Sequence, residues 1–257
     1  MRKFASLFLA SLLLRDSRKT ERGAKRFLAC FVVRAAPFAL LLCAAAFAQV
    51  ATQANEGYKT HEGRETVAKA LSDPSREDRQ KPRDIVDALD LKPGGTVADV
   101  GTGVGFMLPY LSHAVGDTGH VIGEDIQNDF LDQAKMKARL NGLSNVQFLL
   151  GTDRDPRLPD DTLEGALVLD VYHHFDYPEA MLEHIRDSLL SDGKLVIVEY
   201  FKRPGAMPGS DPNRAVQHIR LDQDDLIKEV EANGFRLISK RDLVPKSQYI
   251  AVFAKKS

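Results

Sequence analysis

The sequence predicts an α/β fold, with strands and helices alternating around a mostly parallel sheet. Three observations carry that expectation. The apolar stretch Val97-Ala98-Asp99-Val100 runs straight into Gly101-Thr102-Gly103-Val104-Gly105, and Phe106-Met107-Leu108 then opens an apolar, helix-like run. Amphipathic stretches of helical length separate short β-branched stretches over the following hundred or so residues. Lys194-Leu195-Val196-Ile197-Val198 is the near-continuous apolar run of a strand covered on both faces.

Residues 49–80 are polar, with a helix expected at Gly63–Leu71 and a break at Asp73-Pro74. Ile85, Val86 and Leu89 give Asp84–Leu91 the spacing of an amphipathic helix, and Lys92-Pro93-Gly94-Gly95 turns into the first strand. Beyond the glycine turn, Phe106–Val115 reads as helix with Pro109 confined to its first turn. His120–Ile126 is the second strand, Asn128–Asn141 a helix closed by Asn141-Gly142, and Val146–Leu150 the third strand. Leu163–Val171 is the fourth strand and runs into Tyr172-His173-His174-Phe175. A helix over Pro178–Leu190, a turn at Ser191-Asp192-Gly193 and the fifth strand follow. Lys202–Asn213, rich in Pro and Gly, reads as a mobile loop near the ligand edge of the sheet. Asp222–Asn233 is a helix, and Phe235–Lys240 and Tyr249–Ala254 are the last strands.

The glycine turn points to a nucleotide. Glycines tolerate positive φ and let a ligand lie against bare backbone, while amides at the next helix start face it. The spacing is G-x-G-x-G; Phe106 occupies the position where a dinucleotide fingerprint needs its third glycine, which speaks against a nicotinamide oxidoreductase. Asp125 ends the second strand near the usual distance for a carboxylate that accepts hydrogen bonds from ribose hydroxyls.

Glycine turn and acid together resemble motif I and the acidic loop of class I S-adenosylmethionine-dependent methyltransferases, and Leu189-Leu190-Ser191-Asp192-Gly193-Lys194-Leu195-Val196-Ile197-Val198 is similar to that family's turn plus fifth strand. The resemblance spans about Arg79 to Lys255. It implies a Rossmann-like, seven-stranded, mostly parallel sheet flanked by helices, with an antiparallel C-terminal edge. It implies S-adenosylmethionine as cofactor, held by Asp99, Gly101, Thr102, Gly103, Gly105, Asp125, Ile126 and Asp153. Family members commonly carry the acid after the third strand directly behind the glycine. Here Thr152 intervenes, so Asp155 stands as the alternative to Asp153. The helix before the first strand covers the cofactor in the family. That makes Arg79 and Gln80 ligand candidates, against the reading of a solvated charged cap.

Asp170, Tyr172, His173 and His174 are the candidate catalytic residues, at the strand end beside the methyl group. Methyl transfer needs in-line placement of the acceptor and removal of its proton. Histidine is the natural proton acceptor near neutral pH. Neighbours on an extended chain point to opposite sides, so at most one imidazole should act, with His173 favoured over His174. The competing reading has these residues only shaping the strand end. Asp99 reads equally as a receiver of the cofactor's ammonium or as a carboxylate capping the turn. His173, His174 and Glu199 lack any firm ligand spacing, so no metal site is expected.

Composition separates two parts. Residues 1–48 hold nine Lys/Arg against two Asp/Glu (+7), leaving 26 against 34 (−8) for the rest. An acidic body argues against nucleic acid as a partner and leaves a small-molecule substrate as the expectation. Two apolar patches in residues 1–48, and the Ala46-Phe47-Ala48-Gln49 ending, read as a signal-like leader cleaved after Ala48. The alternatives are an uncleaved membrane anchor, an unexported extension or a mis-assigned start. Export follows from the first reading and a cytoplasmic location from the others; membrane contact would come only through an uncleaved leader. Both cysteines, Cys30 and Cys43, lie in this part, so the remaining chain has no thiolate nucleophile and no disulfide. Residues 49–78 then form an N-terminal extension or cap, and 79–257 the catalytic domain. An exported copy would be separated from a donor made inside cells, which motivates the alternative of a non-catalytic binding protein that keeps the fold. The acceptor and the oligomeric state have no sequence signature.

Overall fold

A computed structural model describes residues 49–256; the leader lies outside the described residues. The N-terminal segment forms a 3-10 turn at Glu56–Tyr58 and then helix α1 (His61–Leu71), whose N-cap Thr60 accepts a hydrogen bond from the Gly63 amide. Helices α2 (Arg76–Gln80) and α3 (Pro82–Leu89) lead to strand β1 (Thr96–Val100). Next come α4 (Leu108–Val115), β2 (His120–Asp125), α5 (Asn128–Leu140), β3 (Val146–Leu150) and β4 (Leu163–Leu169). A 3-10 turn at Tyr172–His174 precedes α6 (Pro178–Ser188) and β5 (Leu189–Tyr200). The chain closes with α7 (Arg214–His218), α8 (Gln223–Ala232), β6 (Phe235–Val244) and β7 (Gln248–Lys255).

The seven strands lie in the order β3-β2-β1-β4-β5-β7-β6. Pairings among β1 to β5 are parallel, and β7 joins β5 and β6 antiparallel. The resemblance implied this sheet, antiparallel edge included. Strand order reverses between β1 and β4, and open α/β sheets gather ligands outside the carboxyl ends at that point.

Alternating residues fill the two faces. Ala98, Val100, Ile122, Val168 and Ile197 pack under α6 and α8, through Leu182, Ile185, Leu226 and Val230. Val97, Val121, Leu167 and Val196 pack under α3 and α4, through Ile85, Leu89, Leu108 and Leu111. Each buried Val, Leu or Ile among them contributes about 1.5–3 kcal/mol.

Three expectations are revised. Ser191-Asp192-Gly193 is not a turn before β5. Leu163 pairs with Leu189 and Gly165 with Lys194, so these residues bulge within one continuous strand. α6 accordingly ends at Ser188 rather than Leu190. α2 and α7 were missed, because five residues carry no readable helical period.

Candidate active site

β1 delivers its last residue to the glycine turn. Gly101 has φ +69, and a β-carbon there would meet Val171 Cγ1 at 2.5 Å, so only glycine brings the turn this close to the end of β4. The Gly103 amide donates to Asp125 Oδ2 at 2.9 Å, and the Gln127 amide donates to Asp125 Oδ1 at 2.8 Å. Asp125 therefore ties the turn to the start of α5 and keeps lone pairs for a ligand. Burial raises its carboxyl to about 6.

These groups line a cavity of about 340 Å3, together with Thr102, Ile126 and Asp153. Ile126 is 47% exposed at its mouth. Asp153 lines the cavity, whereas Asp155 turns aside and accepts from the Arg157 amide at 2.6 Å. Two proposed cofactor residues stand behind the wall. Asp99 is buried and accepts from Thr102 Oγ1 at 2.7 Å; desolvation lifts its carboxyl to about 6. Gly105 faces Leu108 and Ala134, where its missing side chain serves packing. Sequence reasoning passed over Glu124, which lines the cavity, accepts from the Gly101 amide at 3.2 Å and keeps Oε1 buried without a partner. Burial raises its carboxyl well above the ordinary range.

The opposite wall comes from the end of β4. Asp170 has φ +57, a left-handed conformation rare for a non-glycine residue. It accepts from Gln248 Nε2 at 2.6 Å and Gln80 Nε2 at 3.1 Å. Burial, with Glu199 behind it, raises this carboxyl to about 7, opposed by Arg76. Gln80 is thus a buried partner of Asp170, while Arg79 is half-exposed beside Asp73.

The histidine expectation changes most. The chain after β4 is a 3-10 turn and not extended, so the His173 and His174 rings sit on the same side with centroids 4.0 Å apart. His173 lies behind the cavity, buried, with Nδ1 2.6 Å from Glu199 Oε2. His174 lines the cavity, with Nδ1 2.8 Å from Asn55 Oδ1 and Nε2 3.4 Å from the Tyr58 hydroxyl. Burial and the neighbouring imidazoles push His174 well below the usual histidine range. Tyr172 leaves the site; it is core, and its hydroxyl donates to Glu229 at 2.8 Å beside Arg220.

Asn55, Tyr58 and Arg76 also line the cavity and were not foreseen. Burial raises the Tyr58 hydroxyl to about 12. Nothing local marks these residues as site-forming; the packing of Tyr58 against Phe130 at the start of α5 puts the N-terminal segment there.

A parallel sheet with its ligand cavity at the switch point, a glycine turn and a carboxylate one strand over defines a nucleotide-cofactor enzyme fold. Residues 98–197 match the family described as Methyltransferase domain. Over 121 residues the chain is 30% identical to the ubiquinone/menaquinone biosynthesis C-methyltransferase UbiE of Vibrio campbellii, covering 47% of each chain. Over 111 residues it is 32% identical to phosphatidylethanolamine N-methyltransferase of Cereibacter sphaeroides, covering 43% of this chain and 53% of that one. The chain thus spans about half the length of the curated relatives it matches. A solved SAM-dependent methyltransferase from Aquifex aeolicus superposes with a TM-score of 0.67 at 29% identity, covering 74% of this chain and 98% of that one. Residues 98–197 thus carry a methyltransferase domain, and the chain is similar to S-adenosylmethionine-dependent methyltransferases along most of its described length.

The site fits the cofactor of that family. The cavity is in the size range of small-molecule sites, the glycine turn leaves backbone bare, and the spare lone pairs of Asp125 await polar partners.

Proposed function

We propose that this chain binds S-adenosylmethionine between the glycine turn and the end of β4 and passes its methyl group to a small-molecule acceptor. One observation carries the reading: the glycine turn, Asp125 and Asp170 all open into a single cavity. Asp125 accepts the ribose hydroxyls, Ile126 covers the base, and Asp153 lies at the rim to receive the base's amine. The sulfonium supplies an electrophilic methyl and a good leaving group, so the protein's share is placement and proton removal. Asp170 suits the second task. A carboxyl raised to about 7 is a base matched to neutral pH, and two side-chain amides fix its orientation. His174 forms the wall beside it, and the segment carrying Asn55 and Tyr58 keeps water from the acceptor side. The acidic body remains the support for a partner other than nucleic acid.

Titration calorimetry with S-adenosylhomocysteine tests the proposal. Wild type is expected to bind one equivalent, and Asp125→Asn to bind about 10–100-fold more weakly, as expected when hydrogen bonds to a charged acceptor are lost. Affinity should also fall as pH drops through about 6, where Asp125 gains its proton. No binding, or equal binding by the variant, would reject it.

A further inference from the structure

The turn after β4 and the short helix α7 bring three imidazoles together behind the cofactor cavity. The His173 ring lies 4.0 Å from that of His174 and 4.9 Å from that of His218, and His174 and His218 are 5.3 Å apart, centroid to centroid. One ring nitrogen from each residue lies within 4.8 Å of the other two. Nitrogens sharing a tetrahedral ion at about 2.0–2.1 Å sit about 3.3 Å apart, so small side-chain rotations close the remaining gap.

The outward partners decide which nitrogens are free. His173 Nδ1 faces Glu199 Oε2 at 2.6 Å, and a carboxylate only accepts. His174 Nδ1 faces Asn55 Oδ1 at 2.8 Å. The Asn55 amide is fixed in that orientation, because its Nδ2 donates to the His174 carbonyl at 3.0 Å. Both rings therefore carry their proton on Nδ1; the Nε2 lone pair of His174 meets the Tyr58 hydroxyl at 3.4 Å, a contact that a bound ion would replace. Metal-ligating histidines are held in this way, the second nitrogen donating to a carboxylate or carbonyl that sets tautomer and direction.

We infer that His173, His174 and His218 form a three-histidine site for a divalent transition-metal ion of the Zn2+ class, oriented by Glu199 and Asn55. Three neutral nitrogen donors suit Zn2+ or Co2+, whereas Mg2+ and Ca2+ require oxygen. His174 alone of the three lines the cavity, so an acceptor's oxygen or sulfur would reach the open fourth position of such a site from that side. That use of the ion rests on the methyl-transfer reading; binding of the ion does not.

The test uses the full, untagged chain, stripped with a chelator and titrated with Co2+ and then Zn2+. Wild type is expected to take up one equivalent of Co2+ with the visible absorption of a tetrahedral site, displaced by Zn2+. His218→Ala, at a half-exposed position on α7, should weaken binding more than about 100-fold, and Glu199→Gln about 10–100-fold. His184→Ala, a 47% exposed histidine outside the cluster, should leave it unchanged. His218→Asn provides the second ligand variant, with circular dichroism confirming its fold. No stoichiometric uptake by wild type, or uptake indifferent to both His218 variants, would overturn the inference. S-adenosylhomocysteine calorimetry on the same wild-type sample separates the two claims. Cofactor binding without metal uptake rejects the metal site alone, and metal uptake without cofactor binding rejects the methyl-transfer reading alone.

Discussion

Asp99 and Asp125 sit in the same buried neighbourhood, but do different work. Asp125 faces the cavity with backbone donors on both oxygens, while Asp99 is sealed behind the turn against Thr102. Burial holds the Asp99 carboxyl at about 6, above its ordinary 3.8, so the folded state favours the neutral form. Its contribution to stability is complete below about pH 3.8 and disappears as pH rises through about 6. A two-unit shift is worth on the order of 2–3 kcal/mol. Asp99→Asn keeps an acceptor for Thr102 and removes the buried charge. In ligand-free thermal melts the variant should be the more stable protein at pH 8 and equal to wild type at pH 4; a gap that fails to narrow in acid would contradict this assignment. Asp170→Asn removes the proposed proton acceptor. On acceptors found with methyl-labelled cofactor, turnover should fall about 10²–10⁴-fold, and wild-type turnover should decline as pH drops through about 7. Turnover indifferent to this change would assign the proton elsewhere.

Elements show where local pattern speaks and where it is silent. β1 to β4, α4, α5 and α8 lie within a residue or two of their expected bounds, because each has a clean apolar period and a turn residue at its end. Gly105 was read as a ligand contact because the glycines alternate, but alternation cannot say which of them faces outward. Its φ of +78 and a would-be contact of 2.8 Å to Leu108 Cδ1 make it the joint between the turn and α4. Gly105→Ala should therefore cost about 1–2 kcal/mol of stability, seen as a lower denaturation midpoint, with S-adenosylhomocysteine affinity nearly intact. Lost affinity at unchanged stability would return Gly105 to the cofactor. The histidines failed for a related reason: the rule of alternating sides holds on a strand, and β4 had already ended at Leu169.

Over the whole molecule, the fold was legible, and so was the grouping of Gly101, Gly103, Asp125 and Asp153 around one cavity, since both are written in contiguous motifs. The opposite wall of the cavity was not. Asn55, Tyr58, Gln80, His218 and Gln248 reach it from distant parts of the chain, and only the closed sheet brings them together. The N-terminal segment is locked down from afar too, through Arg64 on Asp129 at 2.6 Å and the packing of Ala68, Val104 and Phe130. No helix among the described residues is long and apolar enough to cross a membrane. The most direct measurement is a crystal structure of the full chain with S-adenosylhomocysteine. The ribose hydroxyls should lie within hydrogen-bond reach of Asp125, and the sulfur should point toward Asp170 and His174. A ligand lodged outside this cavity, or a sugar turned away from Asp125, would contradict the account.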